Sequence, residues 1–242
     1  MHAQVRAMLV LALLCGTACN NADPKPATGS SAAQSRKSEP TAVASAAAQT
    51  GARTWTFEPS GALPNGFRAT ETAGSGTPAR WGVVPVPDAP SPPTVFGVTE
   101  SRNPKLTYNL AVLDAVSIAD VDISVMVKAV SGELDRGGGP VWRLTDANNY
   151  YIARWNPLES NVRFYVVEAG SRRALGRTDI DLDPSLWHSL RVVAEGARMT
   201  LFVDDDPVLS IEDSTHQAAG AIGLWTKADA ATLFDDLSIG AP

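Results

Sequence analysis

The chain alternates apolar and polar residues in short segments, most regularly after residue 120. Val121–Lys128 (VDISVMVK) has the period of two that is typical of a strand with one buried face. Clusters of Gly, Pro, Asn and Asp separate one such segment from the next, and amphipathic helical runs are nearly absent. This pattern predicts an all-β fold, an antiparallel sandwich of two sheets.

Three pairs of these segments are joined by short polar turns and predict antiparallel partners. They are Tyr150–Trp155 with Val162–Glu168, Trp187–Ala194 with Met199–Val203, and the closing strands Ala221–Thr226 and Thr232–Ile239. Because Trp187 opens a strand, we expect it to be a core anchor. Gly137–Pro140 (GGGP) lacks the helix and Lys-Ser/Thr pair of a phosphate loop. It predicts a loop that lets the sheet approach a ligand or another backbone.

The segment before residue 121 is less regular. Residues 53–120 are rich in Pro and Gly, with short strands predicted only at Phe96–Val98 and Leu106–Leu110. We expect long loops elsewhere in this region.

The N-terminus has the pattern of an export signal, predicted to span residues 1–18. Arg6 supplies a positive charge, and the apolar run Ala7–Cys15 is too short to span a bilayer. Ala18 and Cys19 resemble the end of a bacterial lipobox, which implies lipidation of Cys19 and a membrane anchor, although Gly16 stands where Leu is usual. Ordinary cleavage after Ala18 is the alternative.

Residues 19–52 predict a disordered tether, and residues 53–242 a single folded domain. The tether is rich in Ala, Ser, Thr, Pro and Gln and has no apolar period, so it cannot offset its chain entropy by burial. Both cysteines of the chain, Cys15 and Cys19, precede the domain, which must therefore be held together by its own core. The net charge of the chain is −6, which argues against nucleic acid as a partner.

The segment from Trp187 to Val208 (WHSLRVVAEGARMTLFVDDDPV) is similar to the Trp-His strand, turn and following strand of laminin G-like domains. The longer pattern from Val121 to Ile239 resembles concanavalin A-like jelly-roll modules of the 3-keto-disaccharide hydrolase family, which look like family-16 glycoside hydrolases in fold. The resemblance implies a jelly roll whose concave face is the glycan groove. It implies little about function, because one fold hosts many sites.

Alternation along the predicted strands gathers a set of aromatic and cationic side chains on one sheet face. The set comprises Arg143, Tyr150, Arg154, Arg163, Tyr165 and Trp225, with Lys227 at its rim. Aromatic rings stack on sugars, and guanidinium groups bind hydroxyls or carboxylates, so this face is the candidate glycan site, with Trp225 as the stacking platform. The alternative is that the arginines pair with local carboxylates and the aromatics fill the core.

Candidate catalytic and metal-binding residues are few. Family-16 enzymes carry a Glu-x-Asp-x-x-Glu strand, which this chain lacks, so no catalytic residue is assigned. No cofactor is required by the sequence, and calcium is the one metal considered, at Glu58, Asp235 and Asp236, since related sandwiches hold calcium near this edge. The alternative is an acidic edge that discourages edge-to-edge pairing.

These features favour an exported cell-envelope lipoprotein, periplasmic or surface-facing, with a non-catalytic jelly roll that binds a carbohydrate or glycoconjugate. Two alternatives remain open. One is a glycoside-cleaving enzyme of the 3-keto-disaccharide hydrolase type, and the other is a protein-interaction module of the envelope.

Overall fold

The computed structural model describes residues 52–58, 63–74 and 77–242, and these residues form fifteen β-strands and no helix. The strands are β1 Arg53–Trp55, β2 Phe67–Thr72, β3 Arg80–Pro85, β4 Thr94–Glu100, β5 Tyr108–Ile118, β6 Val121–Ser131, β7 Gly138–Asp146, β8 Asn149–Asn156, β9 Asn161–Glu168, β10 Ser171–Asp179, β11 His188–Glu195, β12 Arg198–Val203, β13 Asp206–Glu212, β14 Gly220–Lys227 and β15 Ala231–Gly240. The predicted signal, Cys19 and all of the predicted tether except Ala52 lie outside the described residues.

The strands form two antiparallel sheets, which confirms the predicted jelly-roll sandwich. One sheet has the order β13-β12-β11-β6-β15-β4-β3, with β1 also paired to β15. The seven-stranded sheet has the order β10-β9-β8-β7-β14-β5-β2. The prediction of long loops over residues 53–120 is wrong, because β2 and β3 also lie there and β5 is eleven residues long.

The main core lies between the two sheets. On β6 and β11, alternate side chains point inward, as the period of two predicted. Phe96, Trp142 and Phe234 are fully buried in this core. Trp187 is not part of it: the residue precedes β11, whose inward face begins at His188, so Trp187 is half-buried and lies near the Lys128 ammonium group. The prediction of Trp187 as a core anchor is therefore wrong, because the inward-facing position belongs to the next residue, His188.

A second apolar cluster lies on the opposite face of the seven-stranded sheet. It contains Leu110, Tyr150, Ile152 and Trp225, all fully buried, together with neighbours from the same strands. A flat outer sheet face would leave such side chains exposed. The sheet therefore curves until this face encloses a small core of its own.

Gly138 and Gly139 begin β7 and are not part of a loop, contrary to the sequence prediction, but the expected close approach to another backbone is present. A Cβ atom on Gly138 would lie 2.3 Å from the carbonyl oxygen of Trp225, and one on Gly139 would lie 2.1 Å from that of Ala153. Glycine is required here because β7 passes this close to the strands on both of its sides. Within the described ranges, no helix has the length and apolar character needed to cross a membrane.

Candidate functional site

An open pocket of about 620 Å³ lies on the curved outer face of the seven-stranded sheet. Its lining comes mainly from β9, β10, the β8–β9 turn and the end of β14. The lining residues are Lys105, Glu159, Asn161, Arg163, Tyr165, Arg172, Ala174, Arg177 and Lys227. Five of these side chains are cationic and one is a carboxylate, so the pocket is strongly basic.

The inner wall of the pocket rests on a buried group of charges around Asp135. The Lys227 ammonium donates to Asp135 Oδ2 at 2.6 Å, and Asn156 Nδ2 donates to Asp135 Oδ1 at 2.9 Å. Arg154 Nη1 lies 3.9 Å from the same carboxylate. All four side chains are nearly inaccessible to solvent. Because a buried charge is tolerated only when it is paired, this group fixes the position of Lys227 at the pocket.

The loop that carries Asp135 is held in turn by Asp229. The Asp229 carboxylate accepts hydrogen bonds from the backbone N–H groups of Glu133, Leu134 and Asp135, at distances from 2.8 to 3.1 Å. Burial alone would raise the pKa of Asp229, but these three N–H donors outweigh it and lower the pKa below its usual range. Asp229 therefore stays ionised and anchors the loop behind the pocket.

Glu159, in the β8–β9 turn, joins the buried charges to the open pocket. One of its carboxylate oxygens lies 3.1 Å from Nη2 of Arg154 and 3.1 Å from Nη2 of Arg163. Burial raises the pKa of Glu159, but hydrogen bonding and charge from Arg154, with smaller contributions from Asn161 and Arg163, lower it to about 2. The carboxylate is thus anionic at neutral pH and orients both guanidinium groups.

Aromatic rings surround a single arginine at the other end of the pocket. The guanidinium carbon of Arg172, on β10, lies 4.1 Å from the ring centroid of Tyr165 and 5.7 Å from that of Trp225. Tyr108, on β5, also contacts this guanidinium group. These distances are within the range of cation–π attraction. Arg172 therefore lies between the pocket and the rings of Tyr108 and Trp225, while Tyr165 also lines the pocket.

The predicted face residues divide into three groups. Arg163, Tyr165 and Lys227 line the pocket, and Arg154 lies directly behind it. Tyr150 and Trp225 lie on the same face but are fully buried beneath it, and Arg143 points elsewhere.

Tyr150 and Trp225 were predicted to face the ligand, but both are fully buried. Trp225 has no exposed ring surface, so the prediction of a stacking platform is wrong. The Tyr150 hydroxyl lies 2.6 Å from Thr72 Oγ1, and burial raises the pKa of the tyrosine well above its usual value. Both residues belong to the second core, because the sheet curves over them.

Arg143, also predicted on this face, lies outside the pocket. Its guanidinium group donates to the backbone carbonyls of Ala119, His216 and Gly196 and to the Asp120 carboxylate. The register between β7 and β8 shifts after Trp142, and Arg143 itself has a positive φ of 50°. This irregularity breaks the alternation from which the side-chain direction was predicted.

Three cationic pocket residues were missed by the sequence analysis: Lys105, Arg172 and Arg177. The two arginines lie on β10, a strand for which no prediction was made. The sequence contains one signal for this strand, the glycine of the pair Ala169-Gly170. In the structure this pair forms the two-residue turn between β9 and β10, with positive φ values of 48° and 79°. Such a turn, with glycine at its second position, is typical of a tight hairpin. Lys105 lies in a loop, where alternation gives no guidance.

The calcium ligands considered from the sequence are not brought together as a metal site. In residues 52–58, 63–74 and 77–242, no group of three or more His, Cys, Asp or Glu side chains is placed to hold a metal ion. Asp235 is buried and accepts a hydrogen bond from the Ser91 backbone N–H at 2.8 Å, while Asp236 accepts one from the Ser91 hydroxyl at 2.6 Å. Burial raises the pKa of Asp235. These two carboxylates hold a loop, and Glu58 is exposed.

Comparison with solved structures identifies similar folds. The carbohydrate-binding module CBM66 from Bacillus subtilis is 19% identical, with a TM-score of 0.57, over 73% of this chain and 96% of that one. A Bacillus subtilis protein of unknown function with a galectin-like fold is 9% identical, with a TM-score of 0.49, over 72% of this chain and 89% of that one. Domain 4 of AbnA, a GH43 extracellular arabinanase from Geobacillus stearothermophilus, solved with arabinotriose, is 15% identical, with a TM-score of 0.45, over 72% of this chain and 82% of that one.

At 19% identity, the likeness to the carbohydrate-binding module concerns the fold alone. No protein-family model matches the chain, and no curated protein matches it significantly. Membership of the 3-keto-disaccharide hydrolase family therefore stays a prediction.

Proposed function

We propose that this protein is a non-catalytic carbohydrate- or glycoconjugate-binding jelly roll, and that its ligand occupies the pocket between β9, β10 and the end of β14. The observation that carries the proposal is the convergence of oriented polar side chains on this opening. Glu159 holds the Arg163 guanidinium at 3.1 Å, and Asn161 accepts from Arg163 Nε at 3.2 Å, so the donors at the pocket are fixed before a ligand arrives.

A fixed array of this kind suits sugar hydroxyls, each of which can donate and accept a hydrogen bond. Arginine and lysine offer several donors, while the Glu159 carboxylate offers an acceptor. The Asn161 amide is fully buried and holds Arg154 and Arg163 in place. Hydrogen bonds to charged groups are stronger than those between neutral groups. Because the side chains are already oriented, less conformational entropy is lost on binding.

The charge states in the pocket support binding rather than hydrolysis. Glycosidases use a pair of carboxyl groups, one of which must be protonated to act as an acid. The pocket lining contains one carboxylate, Glu159, and its pKa of about 2 keeps it ionised. The Glu159 carboxylate is also paired with Arg154 and Arg163, whose guanidinium groups it orients.

The fold comparison supports the same conclusion, since the similar structure with a TM-score of 0.57 is named as a carbohydrate-binding module. The N-terminal pattern adds the expected location. Lipidation of Cys19 after removal of residues 1–18 would anchor the chain in the cell envelope, and residues 19–52 would serve as the tether that carries the domain. Under this proposal the protein presents its pocket to envelope or extracellular glycans.

An array of neutral and acidic oligosaccharides, probed with the purified full chain in detergent, tests the proposal. Arg163→Ala removes a pocket donor whose side chain is 24% exposed. Arg198→Ala, on the other sheet and 3.9 Å from Glu212, is the matched control. We expect the wild type and the control to retain the same glycans and Arg163→Ala to lose them. Absence of any retained glycan for the folded wild type would contradict the proposal.

A further inference from the structure

The pocket contains more cations than its carboxylates can pair. Three carboxylates serve the cations in and behind it. Asp135 forms an ion pair with Lys227 at 2.6 Å, and Asp179 forms one with Arg177 at 2.5 Å. Glu159 is shared by Arg154 and Arg163. Within the part of the chain that the structure describes, these pairings leave Lys105 and Arg172 without an ion pair.

Arg172 is the more informative of the two residues. Its Nη1 atom is buried and has no hydrogen-bond partner among the described residues. On its buried side the guanidinium group meets the faces of aromatic rings, of which Tyr165 is the nearest at 4.1 Å. Arg172 as a whole is partly buried, and burying part of an unpaired guanidinium group is costly unless a partner supplies negative charge. Cation–π contacts replace only part of that partner.

Lys105 is exposed and lines the same pocket as Arg172. The basic character is local, because the chain as a whole has a net charge of −6. A positive pocket on an acidic protein attracts an anion to one place and repels polyanions from the rest of the surface. The charge pattern therefore points to a ligand with a small, localised negative group.

Building on the proposed function, we propose that the pocket selects acidic sugars, whose carboxylate or sulfate oxygens bind between Arg172 and Lys105. A planar guanidinium group matches both kinds of oxyanion, and an ammonium group adds a point charge. The neutral part of the sugar lies against the polar wall formed by Glu159 and Arg163. Neutral sugars satisfy that wall but leave the charge of Arg172 unmet.

Isothermal titration of the purified full chain tests this selectivity. The probes are oligosaccharides that carry a single galacturonic acid, glucuronic acid or sulfated galactose residue, each beside the neutral oligosaccharide of the same linkage and length. We expect acidic probes to bind about tenfold or more tightly than their neutral counterparts, as lost charge-assisted hydrogen bonds imply. We also expect this advantage to shrink as salt increases. The uronate and sulfate series then distinguish the two oxyanions.

Two substitutions locate the effect. Arg172→Gln and Lys105→Gln should each remove most of the preference for acidic probes, because the affinity for acidic probes should fall by a much larger factor than the affinity for neutral ones. Arg173→Gln is the matched control, because this neighbour of Arg172 points away from the pocket and pairs with Asp213 at 3.0 Å. It should behave as the wild type does. If Arg172→Gln fails to fold, the variant of the exposed Lys105 alone tests whether the preference for acidic probes depends on the pocket.

The outcomes separate the two proposals. Equal binding of acidic and neutral probes, or a preference that survives in both pocket variants, would overturn the acidic selectivity and leave carbohydrate binding intact. Failure of the folded wild type to bind any probe would overturn carbohydrate binding itself, together with the selectivity. Preference for acidic probes that is lost only in the pocket variants is the result expected.

Discussion

The guanidinium carbon of Arg172 lies 5.1 Å from the ring centroid of Tyr108, although four strands separate β10 from β5 in the sheet. In a flat sheet, strands five steps apart would lie about 24 Å from each other. The contact therefore requires a strongly curved sheet. This curvature buries an aromatic cluster on the outer face and leaves a basic pocket beside it. One relationship thus explains both why the predicted aromatic platform is absent and where the cations gather.

Trp225→Ala should destabilise the protein strongly, because the ring is fully buried in the second core. Truncation of a buried tryptophan typically costs about 3–5 kcal/mol. Urea unfolding followed by circular dichroism measures the change. A cost below about 1 kcal/mol would place the ring at the surface and would restore the stacking platform.

Trp187→Ala provides the comparison within the same fold. Trp187 is half-buried outside the core, so its truncation should cost distinctly less than that of Trp225, on the order of 1 kcal/mol. The same unfolding assay applies. Equal losses for the two variants would show that Trp187 packs as a core residue.

Asp135→Asn should destabilise the protein by about 3–5 kcal/mol, because it removes the carboxylate from the buried Lys227 ammonium group. Asp135 and Lys227 are both nearly inaccessible, and their ion pair measures 2.6 Å. Asp179→Asn is the control, since Asp179 is 74% exposed where it pairs with Arg177, and such surface pairs contribute about 0–1 kcal/mol. Similar, small losses for both variants would mean that the Asp135 group does not support the pocket wall.

The contribution of Glu159 to stability should depend on pH. Its pKa falls from 4.5 to about 2 on folding, so the folded state favours the ionised form. The stabilisation is therefore fully present above about pH 4.5 and is lost as the pH falls towards about 2. The stability difference between the wild type and Glu159→Gln, measured by urea unfolding at several pH values, should shrink over this window. A difference that stays constant from about pH 6 to about pH 2 would contradict the assignment.

The fold could be predicted from sequence where one sheet face is buried and the other polar. The closing strands, expected at Ala221–Thr226 and Thr232–Ile239, are observed as Gly220–Lys227 and Ala231–Gly240. The prediction failed for β2, β3 and most of β5, where Pro and Gly interrupt the surrounding sequence. Strand pairing there is decided by tertiary contacts that local propensity does not record.

The site was only partly predictable, for two physical reasons. Alternation placed Arg163 and Tyr165 on the correct face, but it carries no information about curvature, which decides whether Trp225 is exposed or buried. A register shift turned Arg143 away from the pocket. The Arg172 guanidinium group contacts Tyr108, which lies more than sixty residues earlier in the chain, and no local sequence pattern indicates such a contact.

The most direct test of the account is an amide NMR titration of the isotope-labelled full chain with the oligosaccharide that the array retains most strongly. Carbohydrate binding in the basic pocket predicts the largest chemical-shift changes in Asn161–Glu168 and Ser171–Asp179, with smaller ones around Lys105. Amides of Arg198–Val203 and Asp206–Glu212, on the opposite sheet, should not move. Shifts concentrated in those two strands, or no shifts at saturating oligosaccharide, would contradict it.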